Sequence, residues 1–247
     1  MSRGNHRRFP LTPSEPIAFP MAVVALIPAA GFGSRFHESG PKALVSLFGR
    51  PLLVHALERL HASGRVDRAV IAIASGHDEA FEKALASSPM PTILVDGGVT
   101  RRASVANALR AADVSDDDFI CIHDAARPLI DPAEVSAVVD AAAVNGAAVA
   151  GFSMVETVKR VSEGAVTETV PRYDLVAATT PQVFRASLFR AAFEKEGSRD
   201  VTDDAELVER SGVKVSVVLT SRWNIKITYP EDLLWAEAFL ANTQAGG

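Results

Sequence analysis

The sequence predicts an α/β fold in which a parallel sheet is covered by helices on both faces. Short apolar runs of strand length alternate with longer segments whose apolar residues recur at helical spacing. The strand-like runs are apolar on both faces, as strands between two helical layers must be. The polar, glycine-bearing clusters "PAAGFGSR", "DGG" and "HDAARP" each follow such a run. In open α/β sheets, ligands bind beyond the carboxyl ends of the strands.

The elements follow in order. Residues 22–30 read as a buried strand and 51–64 as an amphipathic helix stopped by Gly64. A strand at 68–75 and a helix at 78–87 come next, then a short strand at 92–98 that runs into glycines. A helix at 101–112 precedes 119–128, a strand that runs into a polar turn. The helix at 131–146 has Asp131 as N-cap, Pro132 at its first position and Gly146 past its end. A strand at 147–154 closes the alternation.

The rhythm breaks at 157–170, which reads as two strands around a Ser-Glu-Gly turn. Its alternation is weakly apolar, so the pair cannot bury much against its own core. It reads either as an edge hairpin or as an arm that packs on another subunit. Helices at 186–197 and 202–212, strands at 214–220 and 224–228, and a closing helix at 230–243 complete the chain. A single domain over 22–243 is expected, with the arm at about 156–173.

Composition narrows the function. Of 247 residues, 48% are hydrophobic, enough for a sizeable core. The net charge of −5 argues against nucleic-acid binding by bulk electrostatics and leaves room for a local basic pocket. Cys121 is the only cysteine, so no disulfide forms within one chain and a reducing cytoplasm is the expected compartment. No apolar run reaches the roughly 20 residues of a membrane span. Residues 1–21 are basic, then proline-rich, and read as a disordered tail, with Met21 as an alternative start.

The loop "IPAAGFGSRF" (27–36) carries the chemistry. It lacks the Gly-Lys pair of a Walker A loop. Gly31 and Gly33 supply two glycines of a dinucleotide fingerprint, but Phe36 stands where the third belongs. Instead it offers positive charge, Arg35 and then Lys42. Backbone N–H groups at the glycines, an arginine fork and a lysine point charge suit a triphosphate attacked at its α-phosphorus, with pyrophosphate leaving. Farther on, Lys226 is the odd charge in the apolar "NIKIT" segment and is costly there unless it meets an anion. His123 reads as a packed strand-end histidine and Arg102 as part of a solvated helix face.

The ordered set "PAAGFGSR…PK", "DGG…R..SV", "HDAARP", "TVKR", "TPQ.F", "TDDA" and "NIKIT.PEDL" resembles the 2-C-methyl-D-erythritol 4-phosphate cytidylyltransferases, from about Val23 to Leu240. The resemblance implies a Rossmann-like three-layer α/β/α nucleotidyltransferase fold, mostly parallel, with a β-arm reaching a dimer partner. It implies transfer of a cytidylyl group from CTP to methylerythritol 4-phosphate with Mg²⁺. Arg35 and Lys42 match the residues that stabilise the pentavalent transition state. Pro28, Ala29, Ala30, Gly31 and Gly33 match the backbone shell around the nucleotide. Gly97, Gly98, Arg101 and Ser104 match the cytosine side, the glycines by permitting close approach of a flat base. Ser104 reads equally as a first-turn residue satisfying backbone groups.

Asp124 suits a Mg²⁺ ligand, direct or through water, or a turn cap. Ala125 and Arg127 would face the incoming phosphorylated alcohol. Thr157, Arg172 and Thr202 match contacts to that substrate. Arg172, read without the resemblance, is a surface arginine; in a dimer it would serve the neighbour's site. Thr202 also reads as a helix N-cap, and Lys226 matches the lysine that positions the substrate phosphate. Val99, Pro171 and Tyr229 depart from the residues some relatives carry, outside the expected catalytic set. Two other readings stand beside this one: a cytidylyltransferase for another polyol phosphate, such as ribitol 5-phosphate, and a nucleotide-sugar glycosyltransferase. The length leaves no room for a fused cyclase domain.

Overall fold

The computed structural model describes residues 21–33, 40–196 and 201–245. The expected tail therefore lies outside the described residues except for Met21, which packs half-buried on the core. The first strand, β1 (Val23–Pro28), is followed by a short hairpin, β2 (Ser46–Leu47) and β3 (Arg50–Pro51), and by helix α1 (Leu52–Ala62). Then come β4 (Arg68–Ile73), α2 (Asp78–Leu85), β5 (Thr92–Asp96), α3 (Arg101–Ala111) and β6 (Phe119–Ile122). α4 (Pro132–Asn145) has the anticipated punctuation: the Asp131 carboxylate accepts from the Ala133 N–H, and Gly146 is left-handed at φ 91°.

β7 (Ala147–Ser153) leads to a hairpin, β8 (Val158–Ser162) and β9 (Ala165–Val170), and then β10 (Val176–Arg185). α5 (Ala186–Lys195), α6 (Asp204–Arg210), β11 (Ser216–Leu219) and α7 (Pro230–Ala245) finish the chain. The main sheet has the order β11-β7-β10-β6-β1-β4-β5. β1 runs parallel to β4 and β6, β4 to β5, and β7 to β11.

The sheet departs from the expected parallel one at β10, which runs antiparallel to both β6 and β7. A hairpin arm, not a crossover helix, joins β7 to β10, and strands joined that way lie antiparallel. The sequence hid β10 because Thr179, Thr180 and Gln182 are buried polar residues in its middle. Residues 224–228, expected as a strand, form none. Ile227 N–H donates to the Ala126 carbonyl at 2.8 Å, and the Asn224 side chain is spent on Thr179 and Thr180, so the segment is pinned by isolated bonds instead of a ladder. The helix expected from 202 starts at Asp204, and its N-cap is Asp203, whose carboxylate accepts from Glu206 N–H at 3.0 Å. Thr202 instead donates its hydroxyl to the Glu206 carboxylate at 2.9 Å.

Burial explains the three layers. In β1, Val23, Ala25 and Ile27 pack against α1, α2 and α4, while Val24 and Leu26 face the layer of α3, α5 and α6. Each fully buried Leu, Ile or Phe contributes about 1.5–3 kcal/mol. A smaller cluster of Leu47, Leu52, Ile227 and Leu240 fixes α7 and the 224–228 segment beside the β2–β3 hairpin. β8 and β9 form a two-stranded sheet of their own, with Val161 and Val166 exposed. A two-stranded hairpin of this kind is marginal alone in water.

The join between β7 and β10 is tight. A Cβ at Gly151 would lie 2.5 Å from Val176 Cγ1 and 2.9 Å from the Ala177 carbonyl oxygen. Gly151→Ala is expected to cost roughly 1–3 kcal/mol, seen as a lower urea midpoint with an unchanged slope.

Candidate active site

The parallel strands β4, β1, β5 and β6 end at one edge of the sheet. From β1 the chain goes to β4 and β5 on one side, then returns to β6 on the other. This change of direction opens a crevice next to β1. A cleft of about 240 Å³ lies there. Its walls are Pro28 to Gly31 after β1, Lys42 and Ala43 from a single helical turn, Gly98 to Arg101 and Ser104 at the start of α3, Asp124 to Ala126 after β6, and Lys226.

The first loop is tied at both ends. Lys42 N–H donates to the Gly31 carbonyl at 3.0 Å, and Phe32 bridges Pro41. Arg35 lies outside the described residues, while the bridge returns Lys42 to the cleft wall. Among the described residues no atom lies within 4 Å of a Cβ placed at Gly31. Gly33 is not among the lining residues.

At the other wall the glycines serve the protein's own packing. A Cβ at Gly97 would stand 2.3 Å from Ala30 Cβ, and one at Gly98 would stand 2.2 Å from Ala103 Cβ. Only Gly98 reaches the cleft. Both glycines are therefore required by the chain's own packing, since a side chain at either position would collide with a neighbour. Thr100 caps α3 by accepting from Ala103 N–H at 3.0 Å. Ser104, nearly buried, accepts from Gly98 N–H at 3.0 Å and donates to the Thr100 carbonyl at 3.1 Å. Its hydroxyl retains one acceptor lone pair.

Asp124 is the electrostatic centre. Arg101 Nε donates to its Oδ1 at 3.1 Å, Lys226 Nζ lies 2.9 Å from Oδ2, and Arg127 Nε is 3.7 Å from Oδ2. Burial pushes the Asp124 carboxyl up, but the charges of Arg101, Lys226 and Arg127 outweigh it and hold it well below the usual carboxylate range. Burial also works against the Arg101 charge; Asp204 and then Asp124 overcome it and raise the Arg101 pKa. Asp204 accepts from Arg101 Nη1 at 2.6 Å, and its burial pushes its own carboxyl up. Arg127 sits behind Asp124 and donates to the Asn224 carbonyl at 2.8 Å. Lys226 thus meets its anion from an irregular segment, with its side chain 44% exposed.

Among the described residues no group of three or more His, Cys, Asp or Glu side chains converges as a metal cage. The single carboxylate of Asp124 fits a Mg²⁺ that arrives with a triphosphate, because such sites use one or two carboxylates plus substrate phosphates.

His123 is fully buried, with Nε2 at 3.0 Å from the Arg127 carbonyl and Nδ1 at 3.2 Å from Thr180 Oγ1. Burial pushes its pKa down to about 4. It is a packed histidine, as its sequence context suggested.

The structure thus brings Pro28, Ala29, Ala30, Gly31, Lys42, Gly98, Arg101, Ser104, Asp124, Ala125 and Lys226 to one cleft, with Arg127 behind it. Thr157, Arg172 and Thr202 are exposed and do not line it, and Arg172 donates to the Val155 carbonyl at the base of the arm. Arg102, expected on a solvated face, lies over the Phe193 ring at 4.6 Å. Sequence reasoning passed over Ala43, Thr100 and Ala126 in the lining, and Asp204 beside it. The capping pattern of Thr100 before a helix was the one local signal for that residue.

Residues 23–242 match the family described as IspD, 2-C-methyl-D-erythritol 4-phosphate cytidylyltransferase. The chain belongs to this family. The cytidylyltransferase of that name from Chromobacterium violaceum is 42% identical, covering 89% of this chain and 98% of the relative. Its counterpart from Rhodopirellula baltica is 39% identical, covering 89% and 95%. Among solved structures, the cytidylyltransferase from Thermus thermophilus superposes with a TM-score of 0.74 at 33% identity, covering 89% of this chain and 98% of that one. The 4-diphosphocytidyl-2C-methyl-D-erythritol synthase from Anaerococcus prevotii gives 0.79 at 28% identity, covering 90% and 99%. The family is one of nucleotidyltransferases, and this chain is an enzyme of that class with an α/β fold.

The buried His123 predicts an acid limb in folding stability. The unfolded imidazole takes a proton near pH 6.5 and the folded one only near 4, so its contribution is complete above 6.5 and is lost as pH falls toward 4. Subtracting the stability curve of His123→Asn from that of the natural chain should isolate a loss of up to roughly 3 kcal/mol across that window.

Proposed function

We propose that this chain joins CTP and 2-C-methyl-D-erythritol 4-phosphate to give 4-diphosphocytidyl-2-C-methyl-D-erythritol and pyrophosphate, in isoprenoid precursor synthesis. One observation carries the mechanism: Lys42, Arg101 and Lys226 converge with the single carboxylate Asp124 on a cleft at the sheet's carboxyl edge. A phosphate oxygen of the alcohol attacks the α-phosphorus, a new P–O bond forms, and the bond to the bridging oxygen breaks with its electron pair leaving on pyrophosphate. The attacking monoester is already anionic near neutral pH, so no strong general base is required. Negative charge grows on the bridging and non-bridging oxygens, and Lys42 with Arg35 would stabilise it there.

Pro28 to Gly31 and Gly33 would shape the nucleotide's backbone shell, and Gly97, Gly98, Arg101 and Ser104 its base side. Asp124 would hold Mg²⁺, which supplies charge neutralisation on the triphosphate when bound. Lys226 would turn to the phosphate of the alcohol, with Ala125 and Arg127 forming the floor beneath it. Thr157, Arg172 and Thr202 would complete the alcohol site. Thr157 and Arg172 flank the arm, so they would act on the neighbour's cleft in a homodimer. Exposed Val161, Val166 and Tyr173 on and beside the arm support that assembly. One domain over 22–243 with a dimerising arm at about 156–173, working in the cytoplasm, completes the reading.

Pyrophosphate release should occur with CTP and methylerythritol 4-phosphate and not with ribitol 5-phosphate; activity with ribitol 5-phosphate alone would overturn the substrate assignment. Lys42→Ala should lower kcat on the order of 10²–10³-fold with a smaller change in KM for CTP. Heterodimers of Arg172→Ala and Lys42→Ala subunits should regain part of the activity that neither homodimer has. No recovery in verified heterodimers would put Arg172 in its own subunit's site.

A further inference from the structure

We infer that Asn224, which does not line the cleft, is a positioning residue whose side-chain amide sets where Lys226 stands against Asp124. The inference rests on the role proposed above for Lys226 at the phosphate of the alcohol. Lys226 lies in an irregular segment, so neither a strand ladder nor a helix fixes its place. Two attachments flank it instead. After it, Ile227 N–H donates to the Ala126 carbonyl at 2.8 Å, and the Ile227 side chain is buried beside α7. Before it, the fully buried Asn224 donates from Nδ2 to the Thr180 carbonyl at 2.8 Å and to Thr179 Oγ1 at 3.3 Å. Arg222 and Trp223 are exposed, so Asn224 is where this stretch enters the interior on its way to the cleft.

The same Thr180 accepts from Asp124 N–H at 3.0 Å through its hydroxyl. One residue of β10 thus holds the backbone of Asp124 with its side chain and the segment of Lys226 with its carbonyl. Both partners of the 2.9 Å contact between Lys226 Nζ and Asp124 Oδ2 are registered to that one point of the sheet. Asn224 contributes only as a donor: its Oδ1 is buried without a hydrogen-bond partner among the described residues. An unpaired buried acceptor is a cost, which the two N–H bonds of the amide offset. The Asn224 backbone carbonyl accepts from Arg127 Nη1 at 2.8 Å, a bond that a change of side chain leaves in place.

The test compares Asn224→Ala, Lys226→Ala and the double variant with the natural chain. Without substrates, acetylation of Lys226 by acetic anhydride, read by peptide mass spectrometry, should run roughly two- to fivefold faster in Asn224→Ala, because the amine is no longer held at the carboxylate. Lys83 and Lys195, on distant helices, should keep their rates. In turnover, KM for methylerythritol 4-phosphate should rise roughly tenfold in Asn224→Ala while KM for CTP stays within about twofold. Because Asn224 acts through Lys226, adding Asn224→Ala to Lys226→Ala should raise that KM no further. Should Asn224→Ala fail to fold, Asn224→Ser takes its place with the same expected outcomes, since its hydroxyl is one bond shorter than the amide and falls short of the Thr180 carbonyl. An unchanged acetylation rate of Lys226 in the folded variant would overturn the inference. A lowered kcat with both KM values unchanged, the mark of a merely structural loss, would do the same, as would KM losses that multiply in the double variant. The acetylation is read without substrate, so an inactive natural chain would end the proposed reaction and leave the placement of Lys226 measurable.

Discussion

The burial of the Asp124 carboxylate is the constraint around which the rest of the site is arranged. A buried charge is tolerated only when it is paired and hydrogen-bonded. Three cations from three separate stretches meet that demand: Arg101 from the start of α3, Arg127 from the turn after β6, and Lys226 from the segment before α7. The carboxylate thus draws into one place the positive groups that a triphosphate would need. Because they are held before any substrate arrives, less reorganisation is left for the reaction itself.

This arrangement requires a scaffold that brings distant parts of the chain to one edge. β1, β4, β5 and β6 deliver their loops there because they are parallel and adjacent. β10 serves differently. Its buried Thr180 accepts from Asp124 N–H at 3.0 Å and, through its carbonyl, from the Asn224 side chain at 2.8 Å. Gln182, two residues farther along the strand, fixes α6. An antiparallel strand with polar residues in its interior is thus the brace that holds two walls of the cleft, and α6 beside them, in register.

Legibility from sequence followed the range of the interactions. Asp131, Pro132 and Gly146 announce α4 because capping is decided within a few residues. The alternation of strands and helices, and the polar loops after them, gave the fold class and the cleft's main walls for the same reason. β10 was illegible because its buried threonines and glutamine depend on partners such as Asp124 and Asp203, 56 and 21 residues away, and without those partners the stretch reads as a loop. The "NIKIT" stretch misled in the opposite sense: its alternating apolar residues imitate a strand, but Ile227 packs into the small cluster beside α7 and Lys226 is turned to Asp124. The roles assigned by resemblance to Lys42, Asp124 and Lys226 fall on residues of the one cleft, whereas Thr157, Arg172 and Thr202 do not.

Charge balance connects these features. The chain carries a net charge of −5, yet in and behind the cleft Asp124 and Asp204 are paired with Arg101, Arg127 and Lys226, and Lys42 also lines the cleft. A local excess of cations on an acidic protein focuses the field where low-dielectric walls confine it. Two carboxylates are needed inside that field because cations crowded without them would repel one another and splay into solvent. Arg101 serves both carboxylates, Nε on Asp124 and Nη1 on Asp204. Lys226 reaches Asp124 Oδ2 at 2.9 Å from a side chain that is 44% exposed, so this ion pair lies half in solvent, where charge pairs are held more loosely than the buried contacts behind it.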